Sequence, residues 1–153
     1  MRIAAELMEK GIPFSEIVDR TYYQRTFEQS RILGKVLLES RLLYDGRVVV
    51  GSVSHKDMLE YHTEAKDMDG IVTELRNTIG SEVAVFLYEK EEGVHKISLR
   101  SRSGVDVSRV ARSLGGGGHV RAAGCDVRGS FEEAAEKVLS ALSPYMTQET
   151  EHT

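Results

Sequence analysis

The sequence contains no tryptophan, only two prolines and a single cysteine among its 153 residues. One cysteine excludes an internal disulfide, which suits a reducing compartment. Cys125 follows Gly124 in an apolar-patterned stretch and reads as a small core residue rather than a reactive thiol. No apolar run approaches the roughly 18 residues that a membrane span requires. The N-terminal residues lack a signal-peptide pattern, because Glu6, Glu9 and Lys10 interrupt them. A cytoplasmic protein with no membrane partner is therefore expected. The net charge of −4 argues against a protein that coats nucleic acid without specificity. His55, His62, His95, His119 and His152 are scattered without ligand spacing, so no metal is expected to be held by this chain.

Glycine, in contrast, is concentrated. Gly115-Gly116-Gly117-Gly118 runs directly into His119-Val120-Arg121-Ala122-Ala123-Gly124. Consecutive glycines have no value in a regular element, since each loses the most backbone entropy on ordering. They make sense where the main chain must turn sharply and approach something closely. Backbone N–H groups, an imidazole and a guanidinium in this order suit the capture of an anion such as phosphate. The plainer alternatives are a flexible helix-to-strand connector for Gly116, Gly117 and Gly118, and for His119 a buried histidine that pins the loop.

Charge placement adds to this. Residues 95–128 hold seven basic side chains against Asp106 and Asp126, whereas the remainder holds 13 basic and 22 acidic residues. A basic segment on an acidic body suits a local, phosphate-directed site. Within the strand expected from His95 to Arg102, Ile97 and Leu99 fall on one face and Ser98, Arg100 and Arg102 on the other. Arg100 is the candidate for a bidentate clamp on phosphate, with Arg102 and Arg121 as further candidates. A surface arginine paired with a sheet neighbour is the alternative. Arg109 and Arg112 share a helix face and serve solvation. Tyr22, Tyr23, Tyr61 and His62 are candidate base-stacking groups, for which packing or surface roles compete.

Along the chain, helices are expected at 2–10, 14–23 and 26–40, then an Asp45-Gly46 turn and a strand over 47–53. A short helix at 55–61 starts at Ser54, with Asp57 completing a capping pattern. Residues 62–69 read as an exposed polar loop, and Asp69 as the cap of a helix over 70–78. Strands at 82–89 and 95–102 make a hairpin. Asp106 caps a helix over 107–114, which Gly115 ends. A strand over 123–128 and a final helix opened by the Ser130/Glu133 capping box complete the order. The expected fold is α+β (α/β-like), a mixed sheet of about four or five strands with packed helices, preceded by N-terminal linker helices. The expected organisation is a helical linker over 1–43, a domain over 44–146 and a disordered tail over 147–153.

The Gly115–Gly124 stretch resembles the signature of the DHHA1 domain, the C-terminal half of many DHH-family phosphoesterases. Val94–Ser101 resembles the Arg-bearing strand that precedes the glycine loop in that family, and Val105–Ala111 its connecting helix. The resemblance covers about residues 45–145 and is strongest to bacterial and archaeal oligoribonuclease-type enzymes that also dephosphorylate phosphoadenosine phosphate. It implies that Gly116, Gly117, Gly118, His119, Arg100, Arg102 and Arg121 bind substrate phosphate. The Asp-His-His triplet that names the family is absent; the nearest sequence, His55-Lys56-Asp57, reads as a helix start. Residues 2–8 look like the last helix of a preceding DHH domain. In this reading the chain is the substrate-binding half of a phosphoesterase and carries no catalytic residue of its own. Mn²⁺ or Mg²⁺ would be held by the N-terminal DHH domain. The implied partners are a short oligoribonucleotide, a dinucleotide or phosphoadenosine phosphate, with a homodimer left open. A non-catalytic module for single-stranded nucleic acid, as in single-strand exonucleases, is the alternative, and an appendage of a tRNA synthetase a third.

Overall fold

The computed structural model describes residues 11–102 and 104–147. The helix expected over 2–10 and the tail beyond Thr147 lie outside the described residues. Six α-helices and six strands follow in order: α1 (Phe14–Val18), α2 (Phe27–Glu39), β1 (Arg41–Leu43), β2 (Val48–Val53), α3 (His55–Glu60), α4 (Ile71–Arg76), β3 (Val83–Glu91), β4 (Val94–Ser101), α5 (Val107–Ser113), β5 (Gly117–His119), β6 (Ala122–Arg128) and α6 (Phe131–Met146). The strands form one mixed sheet in the order β1-β2-β3-β4-β6-β5. Only β2 and β3 pair in parallel, through the crossover that carries α3 and α4. All other neighbours are antiparallel.

Two apolar layers flank the sheet. On one face Val83, Val85, Leu87, Ile97, Leu99, Ala123, Cys125 and Val127 pack against α5 and α6. On the other, Val49, Val53, Ala84, Phe86 and Tyr88 pack against α2, α3 and α4. Strand β3 is covered from both sides, so Val83 to Tyr88 are all buried. That accounts for its unbroken apolar run, where half-covered strands alternate. Gly51 interrupts β2 because a side chain there would come within 2.6 Å of Val36 Cγ1 and 2.8 Å of Leu75 Cδ1. The missing Cβ lets α2 and α4 settle onto the sheet.

Local signals set the helix starts. Capping boxes at Thr26/Gln29, Ser54/Asp57 and Ser130/Glu133 begin α2, α3 and α6, and Asp106 accepts from the Ser108 amide at α5. The sequence reading departs from the structure in four places. The first is α1, which gives way to a π-helical turn over Asp19–Tyr23 instead of continuing as α-helix. The second is the supposed exposed loop, which contains a 3₁₀ turn over Ala65–Met68 and buries Thr63 and Met68. Third, Gly70 caps α4 in place of Asp69, at φ +86°, a left-handed geometry that glycine adopts freely. Fourth, the sheet has six strands, the additions being short β1 and the glycine run itself.

Arg47 ties three elements together. Its guanidinium holds both Glu82 carboxylate oxygens, at 2.7 and 3.0 Å, and donates to the Met146 carbonyl at 2.7 Å. The start of β2, the start of β3 and the end of α6 therefore meet at one bidentate pair. The hydrogen bond from Arg47 holds the Glu82 carboxyl below its usual range. A group whose pKa is depressed on folding contributes stability above its unfolded pKa and loses it as pH falls through the folded value. Glu82→Gln should thus lower stability at pH 7, and the gap to the unmodified protein should close as pH drops below about 4. Paired urea titrations at pH 7 and pH 3 measure this.

Candidate phosphate-binding face

Strand register fixes which side chains share a surface. Across the sheet, Ala84 pairs with Arg100, Arg100 with Ala122, and Ala122 with His119. The adjacent row runs Phe86, Ser98, Gly124, Gly117, and the next Tyr88, Lys96, Asp126. Directly paired residues point to the same face. Arg100, Ser98, Ala122, Gly124, Gly117 and His119 therefore occupy the face that α2, α3 and α4 cover over β2 and β3. Beyond the end of β4 that α4 touches, and over β6 and β5, that cover stops. Ser98, Arg100, Ala122, Gly124 and Gly117 are partly buried and His119, Lys96 and Asp126 exposed, whereas Ile97, Leu99, Ala123, Cys125 and Val127 opposite are buried. The result is an open trough with a floor of small residues.

Arg100 and His119 are its two sides. They lie two strands apart, hence about 10 Å between Cα positions, with Ala122 midway. An anion bridging the two would rest on the Ala122 methyl. The Arg100 guanidinium is partly buried and makes one hydrogen bond, to the Leu99 carbonyl at 3.0 Å. Arginine has five N–H donors, and no carboxylate pairs with this one among the described residues. Burial, and secondarily the nearby charge of Arg76, depress the Arg100 pKa. Solvation has been lost with a single carbonyl and no counter-charge in return, an arrangement that favours an anionic ligand.

The glycine run is a strand and not the expected loop. Gly117–His119 pairs with Ala122–Gly124, through a two-residue turn at Val120-Arg121. What the main chain approaches is β6. A Cβ on Gly116 would press on the Gly124 carbonyl and lie 2.5 Å from Cys125 Cβ. One on Gly118, at φ +142°, would lie 2.5 Å from the Ala122 oxygen and the Ala123 Cα. Gly117 has nothing within 4 Å and faces the trough. Two of these glycines thus allow the pairing that positions His119, and one leaves the floor bare.

Arg121 sits exposed in the turn, whose backbone is held from below. The buried Ser101 donates its amide to the Arg121 carbonyl at 3.1 Å, and the Val107 amide donates to Val120 at 3.0 Å. Arg102 lies beyond the end of β4, and its Nε donates to the Arg76 carbonyl at 3.1 Å. The structure therefore brings Arg100, Gly117 and His119 to one surface, with Arg121 and Arg102 at its rim. The sequence reading missed Ala122 and Gly124 as the floor, and Arg76 as a neighbouring cation. A basic residue closing α4, just before β3, was the available signal for Arg76. Arg109 and Arg112 are exposed on α5, on the opposite side of the sheet. Of the stacking candidates, Tyr61 instead carries the Arg31 guanidinium, 4.9 Å from its ring centre. Burial raises the Cys125 thiol to about 11, which keeps it protonated and inert at neutral pH.

Among the described residues no group of three His, Cys, Asp or Glu side chains is placed to hold a metal ion, and no helix is long and apolar enough to cross a membrane. Open concavities lie elsewhere, among them one of about 370 Å³ between α2 and α4 and one of about 700 Å³ between β1–β2 and α6. Neither includes Arg100 or His119.

The open α+β sheet with its glycine-built edge strand carries a cationic trough, and comparison with known proteins identifies its family. The DHHA1 domain profile matches residues 45–148, and the chain belongs to that family. It is 38% identical over 149 residues to the bifunctional oligoribonuclease and PAP phosphatase NrnA of Thermus thermophilus, covering 97% of this chain and 44% of that protein. An exopolyphosphatase-related protein from Bacteroides fragilis superposes with a TM-score of 0.87 at 28% identity, over 94% of this chain and 42% of its own. The pGpG-specific phosphodiesterase PggH from Vibrio shares the fold at 10% identity, with a TM-score of 0.53 over 77% of this chain and 38% of its own. The chain thus spans less than half the length of these three relatives.

The glycine contacts give a direct test. Gly116→Ala and Gly118→Ala should each destabilise the protein by about 1–3 kcal/mol through overpacking or backbone strain, whereas Gly117→Ala should change stability by less than about 1 kcal/mol. Urea unfolding of the three variants measures the contrast.

Proposed function

We propose that this chain is the nucleotide-binding half of a metal-dependent DHH phosphoesterase of the oligoribonuclease and phosphoadenosine-phosphate phosphatase type. The observation that carries the reading is the row Arg100–Ala122–His119, with a partly buried, unpaired guanidinium at one end. Arg100 clamps a phosphate of the terminal nucleotide through charged hydrogen bonds. His119 donates to the same group from the opposite side. The bare surface at Gly117 and Gly124 admits the sugar close to the sheet. The 38% identity to an oligoribonuclease and PAP phosphatase supports short oligoribonucleotides, dinucleotides and phosphoadenosine phosphate as substrates.

The trough is open on one side, so a bound nucleotide keeps one surface free. In this reading that surface faces a DHH domain, which supplies hydrolytic chemistry through Mn²⁺ or Mg²⁺. This chain's described residues offer no donor set for such ions, and its part is to bind and orient. A module that tracks long single strands is less favoured, because the 38% identity over nearly the whole chain is to an oligoribonuclease and PAP phosphatase.

Calorimetry with a dinucleotide tests the reading. Arg100→Gln and His119→Ala should each weaken binding about tenfold or more, as expected for loss of a charged hydrogen bond. Ala122→Leu should block binding by filling the floor while leaving the unfolding midpoint within a few degrees. The salt dependence should be shallow, reflecting one or two phosphates instead of many. Unchanged affinity in all three variants would overturn the proposal. The chain alone, supplied with Mn²⁺, should leave a short RNA uncut in a gel assay.

A further inference from the structure

Three arginines come to one corner of the trough, where the end of α4 is bonded to the residue after β4. Arg100 projects from β4; Arg102 follows two residues later; Arg76 closes α4 above them. The Arg102 amide donates to the Glu82 carbonyl at 3.0 Å and its Nε to the Arg76 carbonyl at 3.1 Å, which fastens the end of α4 to the end of β4. Among the described residues, none of the three has a carboxylate within salt-bridge distance. Acids are present on the same elements but are committed elsewhere. Glu74 of α4 pairs with Arg25, and Glu82 before β3 pairs with Arg47. Arg76 stands near enough to Arg100 for its charge to be felt there.

Like charges drawn together beside a partly desolvated guanidinium cost the folded state free energy and give nothing back without a counter-charge. A ligand with two negative charges on one group relieves that repulsion best. A terminal phosphomonoester carries about −1.5 to −2 charge at pH 7 and three acceptor oxygens, whereas an internal phosphodiester carries one charge and two free oxygens. Arg100 rises from the sheet and Arg76 belongs to the helix layer, so the two charges approach the corner from different elements.

We propose that Arg76 is a specificity-determining residue that, together with Arg100, makes this corner select a nucleotide end bearing a terminal phosphate over an end without one. This rests on the nucleotide-binding reading above.

The probes are the dinucleotide ApA and its forms carrying one terminal phosphate, at the 5′ or the 3′ end, titrated calorimetrically into the unmodified protein, Arg76→Gln, Arg76→Lys and Arg100→Gln. The unmodified protein should bind one phosphorylated form at least tenfold more tightly than ApA. Arg76→Gln should reduce that preference to threefold or less while changing ApA affinity less than twofold, and Arg76→Lys should restore part of it. The Arg102 hydrogen bond goes to the Arg76 main chain, so it survives these substitutions, and matching urea midpoints verify the fold. The proposal is overturned if Arg76→Gln weakens all three ligands equally or none of them, even where Arg100→Gln abolishes binding. If Arg100→Gln also leaves every affinity unchanged, the underlying nucleotide-binding reading falls with it.

Discussion

The site depends on a close approach between two backbones. Strand β5 can lie against β6 only because Gly116 and Gly118 present no Cβ to the carbonyls and side chains beneath them. That approach sets the register His119 to Ala122, and β6 carries it on to Arg100. Glycine loses conformational entropy in a strand, roughly 0.5–1 kcal/mol per residue relative to alanine. Here the ladder and the anchored turn offset that cost. Ser101 and Val107 hold the turn by its carbonyls, so the imidazole is delivered by rigid elements, as precise placement of a binding group requires.

The asymmetry of the two sheet faces does the rest. Helices α5 and α6 cover the face with Leu99, Cys125 and Val127, while α2, α3 and α4 cover mainly β2 and β3 on the other. What remains uncovered is polar or small, namely Ser98, Arg100, Ala122, Gly124 and Gly117. A bare half-sheet lined with apolar residues would invite association; this one presents donors and main chain. The same layout leaves Arg100 without a carboxylate, although acids outnumber bases over the whole chain. Glu74 and Glu82 spend their charge on structural pairs instead.

Much of this was legible in the sequence. The alternation in Val94–Ser101 separated Ile97 and Leu99 from Ser98 and Arg100, and strand geometry preserves that division. Capping boxes at Ser54 and Ser130 marked their helices correctly because they are local chemistry. The glycine run was misread as a loop for the opposite reason. Its strand character comes from tertiary contact with β6, which overrides a poor intrinsic propensity. Arg102 shared an alternation pattern with Arg100, yet the strand stops at Ser101 and the side chain turns to α4. Ala122 and Gly124 carry no chemistry of their own, so only the register could reveal them as the floor. Arg76 lies in a different helix, and only the crossover between β2 and β3 brings it to the same corner.

Strands β1 and β5 form the two margins of the sheet, and each is three residues long. A longer unpaired margin would offer a template on which further chains could add by strand pairing. At β5 the incoming chain would find two glycines and a histidine, with no apolar row to grip; at β1 it would meet the exposed Arg41. The same glycine-rich segment that shapes the trough therefore also leaves that border of the sheet short and without an apolar row.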